Sequence, residues 1–365
     1  MNYDAVLLTS FGGPEKPDEV MPFLERVTAG RGIPRERLEE VSHHYLALGG
    51  VSPINEQNRE LASALREEIK DRNIPIPLYL GNRNSEPFFA DVLREIYADG
   101  HRRVLSLVTS VYSSYSGCRQ YRENLAQAMI DADLEGKMSI DKIRHYFDHP
   151  GFVLPFADGL IQALKTLSDE GFAPSEIDIF FTTHSVPTSM AQTSGPENMR
   201  GSFVDGVYVA QHNATANAIL EIAGKEFALP LPNWSLVYQS RSGAPHMPWL
   251  EPDIGDALRD AASSGTQAVI VIPIGFVSDH IEVVWDLDHE AKSIADEESL
   301  RFIRVATPGR SKEFVSGLID LIQERLTHSE RKALSPLGPW ADFCSVGCCP
   351  NPRRELPVIA ELPID

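Results

Sequence analysis

No window of the 365 residues approaches 18 consecutive apolar side chains, so nothing in the chain reads as a membrane span. The opening stretch MNYDAVLLTSF has neither a basic leading region nor a small-residue cleavage site, which predicts a chain without a secretory leader and a cytoplasmic location. Basic residues are scarce, 33 against 52 acidic ones, and form no cluster, so the footprint of a nucleic-acid binder is missing. The formal charge of −19 suits a solvated acidic surface that attracts cations. The turn Phe11-Gly12-Gly13-Pro14 permits close backbone approach but lacks the full Gly-x-Gly-x-x-Gly pattern, so a dinucleotide site is not supported. There are four cysteines: Cys118, Cys344, Cys348 and Cys349. In a cytoplasmic chain a disulfide framework explains them less well than a metal site does.

What is abundant is alternation. Apolar runs of strand length at Ala5–Phe11, Leu78–Gly81, Val104–Ser110, Ile177–Thr183, Ser235–Gln239, Ala268–Phe276 and Phe302–Ala306 are separated by segments with helical periodicity. AVLLTSFGGP (5–14) resembles DIFFTTHSVP (178–187), and RRVLSLVTSVYSSYSG (102–117) resembles QAVIVIPIGFVSDHIE (267–282), in the same order half a chain apart. The pattern predicts an α/β protein of two similar doubly wound parallel-sheet domains, 1–149 and 150–328, with a ligand cleft at the strand carboxyl ends. Residues 329–365 read as an extension tethered by its cysteines.

The stretch Gly275–Glu290, GFVSDHIEVVWDLDHE, places His280, Glu282, Asp286 and Glu290 just past a buried strand. Glu282, Asp286 and Glu290 are spaced i, i+4, i+8 and would form one acidic stripe on a helix, which like charges destabilise unless a cation sits among them. Carboxylate oxygens suit hard divalent ions, and the histidine adds a borderline ligand. In extended geometry His280 and Glu282 would point to one side. A wet helix face is the plain alternative for Asp286 and Glu290, but Val283, Val284, Trp285 and Leu287 argue that the helix is covered. Covered carboxylates need a partner, a proton or a metal.

His184, in Thr183-His184-Ser185-Val186-Pro187, sits at a strand mouth, where a neutral imidazole can take a proton or bind a metal; a structural histidine in a turn is the alternative. Trp249, among prolines, suits a rigid wall against a flat ligand or a plug at the cleft edge. Tyr112, Tyr115 and Tyr121 surround Cys118, with a helix expected to open at Ser116 or Gly117 and Glu123 in its first turns. With Cys344-x3-Cys348-Cys349, Cys118 makes four thiolates, which suit tetrahedral zinc or a [2Fe–2S] cluster equally well.

Together the segments LLTSFGGP (7–14), LGGVSPINEQ (48–57), GNRNSEP (81–87), YSSYSGCRQY (112–121), TTHSVP (182–187), YQSRSGAPHMPWLEP (238–252) and GFVSDHIEVVWDLDHEA (275–291) resemble the ferrochelatase family along essentially the whole chain. The acidic, cysteine-bearing form is most similar to actinobacterial members of the coproporphyrin III type. The resemblance implies insertion of Fe²⁺ into coproporphyrin III, with release of two protons, in haem b biosynthesis. Protoporphyrin IX ferrochelatase and a non-catalytic haem or metal carrier are the alternatives. It implies that His184 and Glu282 act as Fe²⁺ ligands or proton acceptors, with Asp286 and Glu290 as a relay on a π-distorted helix. Ser52 and Tyr45 match positions that contact propionates, Arg31 and Arg83 are further anion partners, and Trp249 a porphyrin wall. Where several relatives carry a tyrosine as axial iron ligand this chain has Phe11, so Tyr121 or Tyr115 is expected to substitute. The family's cluster-bearing members favour [2Fe–2S] over zinc at Cys118, Cys344, Cys348 and Cys349. A monomer in transient contact with haem-pathway enzymes is the expected state.

Overall fold

The computed structural model describes residues 3–30, 32–227, 230–241 and 247–359. Eight strands run through it: β1 Ala5–Ser10, β2 Leu78–Asn82, β3 Arg103–Val108, β4 Ser139–Lys142, β5 Ile177–His184, β6 Asn233–Gln239, β7 Ala268–Ile272 and β8 Arg301–Arg304. They pair in parallel into two four-stranded sheets ordered β2-β1-β3-β4 and β6-β5-β7-β8, the same order twice. The internal repeat thus falls on β1 with β5 and on β3 with β7, the two inner strands of each sheet. Parallel strands need crossover helices, which cover both faces, so their sequences are continuous apolar runs rather than alternating ones. All six residues of β1 are buried accordingly.

Two differences from the sequence reading have simple causes. β7 ends at Ile272, not Phe276, because Pro273 has no N–H for the ladder and the chain turns, with Ile274 N–H donating to Ile272 O at 2.9 Å. β4, SIDK, has one buried residue and no apolar run; only its pairing with β3, Val104 opposite Ile140, makes it a strand.

The inner faces of the two sheets share a core. Helices Pro150–Asp169 and Lys312–Thr327 pack on each other, and the second also packs on Ile54–Asp71 of the first half. Leu8, Leu65, Phe156, Phe181, Ile272 and Ile319 therefore belong to one apolar cluster. Past residue 327 the chain docks on the body through more than its cysteines. Trp340 is buried edge-on to Phe147 at 5.9 Å, and Ile359 joins the outer core of the first sheet. Arg119 and Arg122, both buried, donate to tail carbonyls at Val346, Leu356, Ser345 and Cys344. No helix among the described residues is long and apolar enough to cross a membrane.

Candidate active site and thiol centre

The carboxyl ends of the two sheets face each other. Tyr112, after β3, donates its hydroxyl to the carbonyl of Ile274, after β7, at 2.9 Å. Ser113 N–H donates to Gln211 Oε1 at 2.7 Å, and Asp279 N–H to Gln57 Oε1 at 2.9 Å. The loops after β3 and β7 are thereby joined to each other and to the helices beside them at the carboxyl ends of the sheets.

His184 is the last residue of β5. Its Nδ1 bonds the carbonyl of Ser185. A carbonyl only accepts, so Nδ1 carries the proton and Nε2 presents a lone pair. The Tyr208 hydroxyl donates to the His184 carbonyl at 2.9 Å, fixing the backbone beneath the ring. Nε2 lies 3.8 Å from Glu282 Oε2, with 37% and 45% of the two side chains exposed. The pair is therefore open to the cleft and can take up a proton or a cation from it.

Glu282 stands in a single helical turn, Ile281–Val283, that continues as a π-helix over Val284–Ala291. His280 is extended (φ −133°) but Glu282 is already helical, so strand alternation is not what brings them together. The turn itself does so: His280 feels both Glu282 and His184, and burial holds its pKa below the usual histidine value. The i→i+5 bonding of a π-helix widens the turn that carries Asp286 and Glu290. Asp286 Oδ2 accepts from Ser240 Oγ and from Gln239 Nε2 (3.3 Å), at the end of β6. Burial, reinforced by Glu282 and Glu290, raises its pKa to about 7 against the opposing pull of those donors. Glu290 is exposed and accepts from Trp285 Nε1 at 2.7 Å. The Trp285 ring is stacked between His44 at 4.4 Å and His289 at 5.5 Å. The acidic line thus runs from the cleft through a covered carboxyl to the surface.

The raised Asp286 value has a stability consequence. A carboxyl whose folded pKa exceeds its unfolded one favours the fold below the unfolded value and loses that contribution as pH rises through the folded one. Asp286→Asn is therefore expected to raise Tm over wild type at pH 8 and to converge with it below pH 4; an equal Tm at both pH values would contradict the assignment.

On the opposite wall the Arg83 guanidinium lies 5.1 Å from the Phe11 ring centroid and 5.0 Å from that of Tyr121. Phe11 meets Phe23 at 6.1 Å, and Phe23 meets Tyr45 at 5.9 Å. Tyr45 is buried beside Glu282 and Asp286, and burial with those two charges pushes its pKa well up. The Tyr115 hydroxyl is directed toward the tail, bonding Glu123 Oε2 at 3.2 Å and Asn351 Nδ2 at 2.9 Å. Ser52 is buried at the Gly12-Gly13 turn and donates its N–H to Pro14 O at 2.8 Å. Gly12 has φ +77°, and a Cβ there would meet Ser85 Oγ at 2.4 Å, so only glycine fits. Gly12→Ala should cost about 1–3 kcal/mol by overpacking and strain, read as a lowered denaturant midpoint; an unchanged midpoint would contradict the packing described. Trp249 flanks the His184 loop: Pro187 and Trp249 form a bridge, and Leu250 N–H donates to Val186 O at 3.0 Å. Its indole Nε1 is buried without a hydrogen-bond partner among the described residues. Arg31, and Ser242 to His246 of the loop before Trp249, lie outside the described residues.

The cysteines converge although 226 positions separate Cys118 from Cys344. Cys118 is on a π-turn, Tyr115–Arg119, capped not by Ser116 or Gly117 but by Ser114, whose Oγ accepts from Gly117 N–H at 2.8 Å. Cys348 Sγ lies 3.8 Å from Cys349 Sγ, the Cys118 and Cys344 sulfurs lie within 4.8 Å of each other, and Gly195 N–H donates to Cys349 Sγ at 3.1 Å. The neighbouring thiols hold those of Cys118 and Cys348 below the usual cysteine range and push those of Cys344 and Cys349 up. Four sulfurs brought together from the body and the tail fit a thiolate-bound metal centre. Cys118, Cys348 and Cys349 are all buried.

A profile of the ferrochelatase family matches residues 3–326. The chain belongs to the ferrochelatase family. Among its relatives, the coproporphyrin III ferrochelatase of Streptomyces griseus is 53% identical over 355 residues, covering 95% of this chain and 93% of its own. That of Tropheryma whipplei is 50% identical over 358 residues, covering 96% and 90%. The ferrochelatase of Rhodopirellula baltica is 43% identical over 364 residues, covering 99% and 97%. The family match stops before Cys344, whereas these relatives continue into the tail.

Set against the sequence, the structure of this ferrochelatase brings His184, Glu282, Asp286, Arg83, Tyr121 and Trp249 to the cleft region, and Cys118 to the tail thiols. Sequence reading missed Tyr208 beneath His184 and the buried Arg119–Glu123 pair, 3.0 Å apart, under the tail. It also missed His145 beside the thiols. An Arg and a Glu four residues apart in a helix gave a signal for the second; the others are long-range placements with no local trace.

Proposed function

We propose that this chain inserts Fe²⁺ into coproporphyrin III, yielding Fe-coproporphyrin III and two protons. The observation that carries the reading is the His184 Nε2 lone pair, fixed by the Nδ1–H bond and held 3.8 Å from Glu282 at the cleft. Metal insertion needs two pyrrole protons removed and water stripped from the ion. A base with a pinned tautomer meets the first need, since its acceptor points at the substrate without reorganisation. Glu282, open to the cleft, neutralises the arriving cation or the imidazolium. Asp286, covered and poised near neutrality, passes a cation or proton between Glu282 and the surface carboxylate Glu290. Arg83, cationic and held between two rings, suits a propionate; Ser52 and Trp249 complete the porphyrin wall. With Phe11 in the axial position, Tyr121 is the better-placed phenol. It shares Arg83 with Phe11, whereas the Tyr115 hydroxyl is committed to Glu123 and Asn351.

The four cysteines, in this reading, hold a [2Fe–2S] cluster, which when bound supplies a one-electron centre and joins the tail to the turn after β3. The meeting of Cys118 with the three tail cysteines supports it. Cys348→Ala should remove both iron and acid-labile sulfide from the isolated protein and lower its Tm; full retention of both would contradict the ligand set. Function itself is tested by the visible spectrum during turnover. Coproporphyrin III with Fe²⁺ and the protein should lose its four-band free-base pattern for a metalloporphyrin spectrum, and a spectrum unchanged from the protein-free mixture would refute the proposal.

A further inference from the structure

Five acidic side chains lie from Gly275 to Glu290, and three of them, Glu282, Asp286 and Glu290, make the line from the cleft to the surface. The other two, Asp279 and Asp288, are both taken by one residue. Arg304, the last residue of β8, donates from Nε to Asp288 Oδ1 at 2.6 Å and from Nη2 to Asp288 Oδ2 at 3.0 Å. The same guanidinium donates from Nη1 to Asp279 Oδ1 and from Nη2 to Asp279 Oδ2, each at 3.2 Å. The Thr307 hydroxyl also donates to Asp279 Oδ1 at 3.2 Å. With 17% of the Arg304 side chain and 20% of that of Asp279 exposed, the contact is largely out of water. Charge-assisted forks there fix geometry as exposed ion pairs do not.

Asp279 precedes His280 and the turn that carries Glu282, while Asp288 lies on the π-helix between Asp286 and Glu290. Arg304 therefore grips the acidic segment on both sides of Glu282 and Asp286. Its own backbone is fixed, because Arg304 stands opposite Val271 in the sheet and Val305 N–H donates to Val271 O at 2.8 Å. A π-helix is rare beyond a single turn, so a longer one needs tertiary restraint. Leu287 and Ala291 are the buried residues of 284–291 and hold one edge of it; the Arg304 forks hold it against turning about that edge. We propose that Arg304 is a positioning residue for iron insertion. It acts through Asp279 and Asp288 to keep Glu282 beside His184 and Asp286 in line behind it. This role presupposes the iron-insertion reading given above and adds to it what aims the acidic line.

The test uses the full chain, with Fe²⁺ varied at saturating coproporphyrin III and porphyrin affinity read by fluorescence quenching. Arg304→Lys keeps the positive charge without the planar fork, and Arg304→Gln loses both. Each should lower kcat/KM for Fe²⁺ ~10–100-fold, the range for groups that orient metal ligands, and leave porphyrin affinity within about threefold. Circular dichroism checks that each is folded. Asp288→Asn removes one fork at a side chain 36% exposed and decides the matter if the Arg304 variants do not fold. It should lower kcat/KM for Fe²⁺ ~10-fold. Wild-type kcat/KM in folded Arg304→Lys, or in Asp288→Asn where that variant decides, would overturn the role of Arg304. A matching loss of porphyrin affinity would overturn it too, making Arg304 a general support of the cleft. Wild-type protein that metallates no porphyrin would overturn the reading of function, and this role with it.

Discussion

His184→Ala is expected to lower kcat for Fe²⁺ insertion by roughly 10²–10⁴-fold, the range for loss of a positioned acid–base group, while leaving porphyrin affinity within about threefold. The split follows from the geometry. The ring contributes a lone pair at the cleft, whereas the porphyrin-binding wall proposed above is made by Phe11, Arg83 and Tyr121 and by Trp249 beside the loop. The backbone under the ring is secured independently by Tyr208, which bonds the His184 carbonyl and not its side chain. Truncation therefore removes the acceptor without releasing the loop. Steady-state rates and fluorescence quenching of bound porphyrin check both halves. Near-wild-type turnover would remove His184 from the chemistry, and a matching loss of porphyrin binding would make it a binding residue.

The largest stability effect is expected at Arg144. Its side chain is 1% exposed and donates to both Glu324 oxygens, at 2.7 and 2.9 Å, and to the Lys332 carbonyl at 2.7 Å. The pair joins the segment after β4 to helix Lys312–Thr327 and to the start of the tail, so three parts of the chain meet on one guanidinium. Breaking a buried pair leaves an uncompensated charge, whereas replacing both partners with apolar groups does not. Arg144→Ala should cost about 3–5 kcal/mol in denaturant unfolding, and Arg144→Met with Glu324→Leu should recover most of it. A single substitution that costs less than about 1 kcal/mol would mean that the pair is not the anchor described. Because His145 is the next residue, the same single substitution should also loosen the thiol centre.

The elements of the fold differ in how plainly the sequence marks them. β1, β3, β5 and β7 were legible because a central parallel strand is buried on both faces and must be continuously apolar. β4 was not, because an edge strand of four residues is made by its neighbour and not by its own composition. The acidic spacing from Glu282 to Glu290 was legible, but the bottom-up expectation of an ordinary helix was not met. The two buried residues of this segment, Leu287 and Ala291, are four apart as in an ordinary helix, so the apolar spacing carried no sign of the wider turn. The structure also shows π geometry at corresponding places in both halves, after β3 at Tyr115–Arg119 and after β7 at Val284–Ala291. One carries Cys118 and the other the acidic line, so the repeat extends to this distortion. Tyr208 and His145 were invisible because each acts on residues at least 24 positions away, through packing that only the folded chain defines.

The choice of porphyrin can be read from a single competition. An equimolar mixture of coproporphyrin III and protoporphyrin IX with limiting Fe²⁺, resolved by mass spectrometry of the products, tests it in one reaction. Fe-coproporphyrin III should dominate the metallated product. A mixture in which protohaem dominates, or in which neither porphyrin is metallated, would contradict it.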